Sequence, residues 1–149
     1  MKVWALAGNS GYVHKFSVFG DNLNTSQPQP GIGASGQVVL DLVTGENSCP
    51  SGTEIFFDNY FSSPELLLKL KDMGMHATST MRAPRTKRCP LKSDTELKEK
   101  RGSYDFKFCN GIVVCKWYDT KSVLCASNHY SVEPLGKSRR WPITLEWEV

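Results

Sequence analysis

The sequence lacks any segment that would place it in a membrane or direct it across one. No apolar run approaches the roughly 18–20 residues that a membrane-spanning helix needs. The N-terminal residues also lack the basic region, apolar stretch and small-residue cleavage site of a secretory signal. We therefore expect no membrane partner.

The cysteines lack the number and spacing of a disulfide or zinc scaffold. There are five of them, and no two form a CxxC motif. We expect reduced thiols that act as small apolar side chains, in a cytosolic or nuclear compartment. The histidines are scattered and have no Ser or Cys nucleophile context, which argues against a hydrolase triad. We expect no small-molecule substrate.

The composition indicates one globular domain with a basic segment. The chain has 149 residues, of which 40% are hydrophobic, enough to bury a core. Its net charge is +3, but residues 82–101 carry eight basic and three acidic side chains. A concentrated basic segment is typical of a surface that faces a polyanion such as nucleic acid, and it is also compatible with a solvated loop.

Apolar spacing and turn residues predict two strands, then helix, strand, helix and strand, and finally a three-strand meander. The predicted strands are Val3–Ala7, Tyr12–Phe19, Ile55–Phe57, Ala77–Met81, Ser103–Phe108, Ile112–Trp117 and Ser122–Ser127. Ser35 is expected to cap the first helix, and Ser62 or Ser63 the second. This alternation implies an α/β fold, with helices packed on a mixed sheet.

Asp58 stands directly after a short apolar strand and six residues before Pro64, which lies in the first turn of a predicted helix. Such a position is where α/β folds place catalytic or metal-binding carboxylates. Asp also closes loops through Asx turns. Spacing alone leaves both interpretations open.

Several segments resemble piggyBac-type transposases and their domesticated derivatives. The sequence FFDNYFSSPELLLKLKDMG (56–74) is similar to the block around the second catalytic Asp of that family, and HATSTMRAPR (76–85) is similar to its ATGTVRxNR strand and basic turn. Four further segments also resemble the family and stand in the same order as in it. They are KVWALAGNSGYVHKFSVFG (2–20), GIGASGQVVL (31–40), KRGSYD (100–105) and VCKWYDTKSV (114–123). The resemblance is colinear over residues 2–130.

The resemblance implies a ribonuclease-H-like fold, with a mixed sheet and flanking helices. The strand with the first catalytic Asp is expected before Lys2, and the third catalytic Asp in a downstream GGVDxxD-like segment; the sequence contains neither. We therefore expect an incomplete fold, with the first catalytic strand and the C-terminal part missing. Residues 1–130 would form a partial transposase domain and residues 131–149 a divergent C-terminal tail.

The resemblance also assigns roles to particular residues. Transposases of this family are understood to cut and join DNA with two metal ions, expected to be Mg²⁺, held by three Asp residues. Asp58 matches the second of these, as a catalytic residue and metal ligand. Arg82 and Arg85 match basic positions that the resemblance implies touch DNA, and Lys87 and Arg88 extend the basic turn. Arg82 follows a strand, so we expect it near the sheet edge that carries Asp58.

Three hypotheses for function follow. The first is a piece of a transposase catalytic domain that binds DNA in the nucleus, from a family whose full-length members form homodimers. We expect this chain to be inactive, because one carboxylate cannot fix two metal ions. The second is a domesticated, non-enzymatic module that binds DNA or chromatin. The third is a gene fragment without stable function, since a sheet lacking a central strand exposes an edge.

Overall fold

The computed structural model describes residues 2–18, 29–45 and 48–136, and within them the chain forms seven strands, three α-helices and one 3₁₀ turn. The elements are β1 (Val3–Ala7), β2 (Val13–Val18), α1 (Gly33–Val43), β3 (Glu54–Phe57), α2 (Pro64–Asp72), β4 (His76–Thr80), the 3₁₀ turn (Ala83–Thr86), α3 (Asp94–Leu97), β5 (Tyr104–Cys109), β6 (Ile112–Tyr118) and β7 (Ser122–Ser127). Phe19, predicted as the end of the second strand, and the part of the predicted tail from residue 137 lie outside the described residues. In the described part of the chain, no helix combines the length and the apolar character that crossing a bilayer requires.

Five strands form a mixed sheet in the order β3-β4-β7-β6-β5. The β3–β4 pair is parallel, with Ile55 opposite Ala77, and the other three pairs are antiparallel. The tight turn between β5 and β6 is made by Asn110 and Gly111, both with positive φ, as a two-residue hairpin requires. The expected α/β class with a mixed sheet is confirmed.

The hairpin of β1 and β2 is a separate two-stranded sheet. Among the described residues, β1 pairs only with β2, and β3 pairs only with β4. A groove between the two sheets is lined by Ala5 and Leu6 on one side and by Ile55 and Phe56 on the other. The backbone edges that face this groove are therefore without a strand partner in the part of the chain that the structure describes.

The core lies between the helices and one face of the five-stranded sheet. Leu66, Leu67 and Leu70 of α2 have no exposed surface. They form one cluster with Val39, Leu40 and Val43 of α1 and with the strand residues Ile55, Ala77, Ile112 and Ala126. Burying a leucine stabilises a fold by about 1.5–3 kcal/mol relative to exposing it, so α2 is the main apolar anchor of the sheet.

Local signals at both ends of α2 explain its limits. Ser63 has an extended backbone, and its hydroxyl accepts a hydrogen bond from the Leu66 amide at 3.1 Å. Pro64 occupies the first helical turn, where a missing N–H costs nothing. Gly74 has a φ of +75°, the left-handed conformation that ends many helices. The predicted helix is confirmed, and its cap is Ser63.

Replacing Ser63 by alanine should lower the free energy of unfolding by about 1 kcal/mol, because the substitution removes the acceptor for the Leu66 amide. Urea denaturation followed by circular dichroism measures the change. Ser10→Ala, at the exposed tip of the β1–β2 hairpin, is the control and should change stability by less than about 0.5 kcal/mol. Equal stabilities of the two variants would contradict the capping role.

The start of α1 differs from the sequence prediction. The helix begins at Gly33, with Ile32 at the cap position and no side-chain cap hydrogen bond, so Ser35 lies inside the first turn. Ile32 is 7% exposed and belongs to the core cluster. The prediction that Ser35 caps this helix was wrong. Ile32 packs in the core and takes the cap position, so the helix starts before Ser35.

The cysteines carry free thiols. Burial raises the pKa of the Cys89 and Cys115 thiols, which keeps them protonated at neutral pH. Cys89 and Cys115 fit the expectation of reduced thiols that act as small apolar side chains, whereas Cys109 and Cys125 are exposed.

Candidate nucleic-acid interface

The loop after β3 is closed by Asp58. Its Oδ1 accepts a hydrogen bond from the Tyr60 amide at 2.7 Å, and its carbonyl accepts one from the Phe61 amide at 3.3 Å. The first of these is the Asx turn that the sequence left open as one interpretation. The residue is also exposed, so its second carboxylate oxygen is accessible to solvent. The turn and an outward-facing carboxylate therefore coexist at this position.

Aromatic packing and a buried hydroxyl pair hold the same loop. Trp4 of β1 stacks on Tyr60 with ring centroids 5.2 Å apart and meets Phe61 edge-on at 5.1 Å. The ammonium group of Lys2 lies over both Trp4 and Tyr60. Ser62 is fully buried, and its hydroxyl bonds to that of Ser79 in β4 at 2.8 Å. Tyr60 and Phe61 thus pack within the protein.

Two arginines that follow β4 reach back to this loop. Arg82 is exposed, and its Nε donates to Asn59 Oδ1 at 2.8 Å. Arg85 is half-buried, and its Nη1 donates to the carbonyls of Asn59, Tyr60 and Ser62 at 3.1, 2.9 and 2.8 Å. Parallel pairing of β3 and β4 makes this possible, because parallel strands end at the same edge of a sheet.

Lys87 and Arg88 complete the basic turn. Both have left-handed backbones, with φ of 52° and 60°, so the chain reverses sharply and leaves the two side chains outside. Lys87 forms an ion pair with Glu65 in the first turn of α2. Arg88 has no side-chain hydrogen bond or ion pair with the described residues. We call the surface formed by Asp58, Asn59, Arg82, Arg85, Lys87 and Arg88 the Asp58 edge.

The sequence prediction brought Asp58 and Arg82 together correctly. It did not find Asn59 and Glu65, which hold Arg82 and Lys87, or Trp4 and Lys2, which support the loop from β1. The only signal of this site in the sequence was the polar pair Asp58-Asn59 before a helix start. The partners are 22 or more residues apart, so local patterns carry no information about them.

The metal-ligand geometry differs from the expectation for a Mg²⁺ site. Among the described residues, one group of three His, Cys, Asp or Glu side chains lies close enough to hold an ion, and it consists of Glu54, His76 and His129. Asp58 is not part of it. Glu54 and His76 start β3 and β4, so this group lies about 13 Å along the strands from Asp58, at 3.3 Å per residue.

Comparison with known proteins identifies the relationship. The family model described as Transposase IS4 matches residues 1–144. The human PiggyBac transposable element-derived protein 2 is 36% identical over 145 residues, covering 93% of this chain and 24% of the relative. The human PiggyBac transposable element-derived protein 3 is 38% identical over 152 residues, covering 99% of this chain and 25% of the relative. The chain thus spans about a quarter of the length of these relatives.

A solved structure shares the fold. The cryo-EM structure of a piggyBac transposase synaptic complex with hairpin DNA superposes with a TM-score of 0.64 and 17% identity, over 87% of this chain and 27% of that chain. Fold and sequence matches together define the class as a transposase-derived protein. Within that class, the chain belongs to the piggyBac-type transposase family. The resemblance found in the sequence is confirmed.

Proposed function

We propose that this chain is a DNA-binding segment of a piggyBac-type transposase-derived protein and that it does not cut DNA by itself. The observation that carries the proposal is the Asp58 edge, where parallel pairing of β3 and β4 gathers four cationic side chains around the loop that begins at the exposed Asp58. The DNA contacts of Arg82, Arg85, Lys87 and Arg88 and the metal role of Asp58 are parts of this proposal.

The chemistry of these side chains supports DNA as the partner. A guanidinium group can bind two phosphate oxygens at once. Arg82 uses Nε for Asn59, which leaves both terminal nitrogens to face a phosphate, and Arg88 is exposed. The structural neighbour is a transposase in a complex with hairpin DNA, which supports the same class of partner.

The role of Arg85 is mixed. Its Nη1 is occupied by three loop carbonyls, so this side chain orders the Asp58 loop in addition to any phosphate contact. Lys87 is 67% exposed while paired with Glu65, whose negative charge offsets part of its attraction for phosphate. We therefore infer that Arg82 and Arg88 contribute most of the phosphate binding.

The described residues do not form a complete Mg²⁺ site. Mg²⁺ prefers octahedral oxygen ligands, and Asp58 belongs to no group of three or more His, Cys, Asp or Glu side chains close enough to hold an ion in residues 2–18, 29–45 and 48–136. Asp58 is the one Mg²⁺ ligand that this proposal names. For this chain we derive binding and positioning of DNA, and no cleavage step.

The purified chain should bind duplex DNA but fail to nick it in the presence of Mg²⁺ or Mn²⁺. The physical reason is that one carboxylate cannot position two ions. The experiment incubates a supercoiled plasmid and a short duplex with the chain and measures nicking and binding separately. Asp58→Asn is the matched variant, since its amide oxygen keeps the bond from the Tyr60 amide and removes the charge.

Two results would overturn this proposal in different ways. Metal-dependent nicking that Asp58→Asn abolishes would make the chain an enzyme. Absence of any DNA binding by a folded chain would remove the binding function. Calorimetric titration with Mg²⁺ should show weak binding that Asp58→Asn reduces further.

A domesticated DNA- or chromatin-binding module is the alternative function. It is favoured by the exposed guanidinium groups of Arg82 and Arg88, which attract phosphate without a metal ion. Binding to DNA or nucleosomes that is equally strong with and without divalent ions would support it. Binding that requires Mg²⁺ would favour a transposase-like role within a longer protein.

A nuclear location and a homodimer of the whole protein remain proposals. Both follow from the family and from DNA as the proposed partner. A fluorescent fusion in cells addresses the first, and light scattering on the protein addresses the second.

A further inference from the structure

Three metal-ligating side chains meet at the opposite end of the strands from the Asp58 edge. Glu54 and His76 are direct partners in the parallel register of β3 and β4. His129 follows β7 by two residues. One ligand atom of each lies within 4.8 Å of those of the other two. Three separate parts of the chain therefore supply one compact set of two imidazoles and one carboxylate, which we call the Glu54 cluster.

The backbone that carries His129 is firmly held. Asn128 donates through Nδ2 to the carbonyls of Leu67 and Met75 at 2.9 and 3.1 Å, and its Oδ1 accepts from the Ala77 amide at 2.7 Å. Ser127 Oγ accepts from the amides of both His129 and Tyr130. These bonds fix the position of His129 beside β4 without using its ring.

The side chains of the cluster already contact one another. The rings of His76 and His129 stack with centroids 3.5 Å apart and an interplanar angle of 9°. Tyr130 meets His129 edge-on, and its phenol bonds to Glu54, which raises the pKa of Tyr130. A hydrogen bond that orients a ligating carboxylate is typical of the groups that surround metal ligands.

We propose that the Glu54 cluster binds a single Zn²⁺ ion through the Glu54 carboxylate and one ring nitrogen each of His76 and His129. Two imidazoles and one carboxylate are the protein ligands of zinc sites that keep a fourth position open for water. Nitrogen atoms at about 2.0–2.1 Å from a tetrahedral zinc ion lie about 3.3 Å from each other, and the ligand atoms of the cluster lie within 4.8 Å of one another. Because an imidazole nitrogen binds a metal in the plane of its ring, the two stacked rings must tilt apart for both nitrogens to face one ion.

Zinc fits this cluster better than magnesium. Imidazole nitrogen is a poor ligand for Mg²⁺, which prefers oxygen ligands and keeps several waters. A bound zinc ion would clamp the segment after β7 onto the starts of β3 and β4. The site is independent of the proposed DNA binding, because it lies at the opposite end of β3 and β4 from the Asp58 edge.

Calorimetric titration of the full chain with ZnCl₂, in a non-chelating buffer with a non-thiol reductant, tests this proposal. We expect one site per chain. Loss of an orienting neighbour alone costs about 10–100-fold in affinity, so His129→Ala, which removes a ligand, should weaken binding by more than about 100-fold. Tyr130→Phe should weaken it by about 10-fold. His14→Ala is the matched control, because His14 lies in β2 outside the cluster, and it should bind as the unchanged chain does.

Glu54→Gln keeps the shape of the side chain and removes its charge, so it provides a second variant if a histidine substitution disturbs folding. Circular dichroism confirms that each variant is folded. Substitution with Co²⁺ separates the Glu54 cluster from the free cysteines, because thiolate ligands add a charge-transfer band that imidazole and carboxylate do not. Equal zinc binding by the unchanged chain, His129→Ala and Glu54→Gln, a thiolate band, or no zinc binding at all would overturn the proposal.

Discussion

Replacing Arg85 by alanine is expected to lower the free energy of unfolding by about 3 kcal/mol, a large fraction of the total stability of a domain of this size. The Nη1 group donates to three carbonyls of the loop at residues 59–62, at 2.8–3.1 Å. Hydrogen bonds to charged groups contribute about 1.5–3 kcal/mol each, and water replaces part of this at a half-buried site. Urea denaturation of the two proteins measures the difference.

Two further variants show whether geometry or charge is responsible. Arg85→Lys keeps the charge but loses the planar fork, so it should recover less than half of the lost stability. Lys100→Ala removes an equal charge at an exposed position and should change stability by less than about 0.5 kcal/mol. If Arg85→Ala were as stable as Lys100→Ala, the three carbonyl bonds would not hold the loop.

The double variant Arg82→Ala/Arg88→Ala is expected to remove most of the salt dependence of DNA binding. Three or four phosphate contacts predict a slope near −3 in log affinity against log salt, because each contact releases condensed counterions and contributes about −0.9. Affinity should then fall by about 60-fold between about 50 and 200 mM salt for the unchanged chain. With two contacts removed, the slope should be near −1 and the loss about fourfold.

Fluorescence anisotropy on a short labelled duplex across a salt series measures both slopes. Lys98→Ala/Lys100→Ala is the charge-matched control, since both lysines are exposed and lie outside the Asp58 edge. This control variant should make the slope of log affinity against log salt shallower by less than one. A double variant at Arg82 and Arg88 that behaves like this control would show that the basic turn is a solvated surface.

Arg85 is left intact in the binding experiment for a structural reason. The sequence treats Arg82 and Arg85 as equivalent members of one basic turn. In the folded chain Arg82 is exposed, whereas Arg85 is half-buried against the loop carbonyls. Removing Arg85 would change folding and binding together, so Arg88 is the cleaner partner for Arg82.

The elements of this fold were largely predictable because their signals are local. Ser63, Pro64 and Gly74 mark the limits of α2 within a dozen residues, and Asn110-Gly111 marks the hairpin between β5 and β6. The position of Arg82 near Asp58 was also predictable, because it requires only that two adjacent strands be parallel.

The side-chain contacts of the site could not be read from the sequence. Lys87 and Glu65 are 22 positions apart, and the three acceptors of Arg85 are backbone carbonyls that any residue would provide. The members of the Glu54 cluster come from β3, β4 and the segment after β7, with no motif spacing between them. Only the pairing of the strands brings these groups together.

Hydrogen–deuterium exchange of the chain with and without a short duplex tests most directly whether the Asp58 edge is the DNA-binding surface. We predict slower exchange in peptides that contain residues 58–63 and 82–89, and unchanged exchange in peptides from β5 and β6, at the far side of the sheet. The protection should weaken as salt is raised, because the contacts are electrostatic. Protection confined to β5 and β6, with none at residues 58–63 or 82–89, would contradict the assignment of the DNA-binding surface to the Asp58 edge.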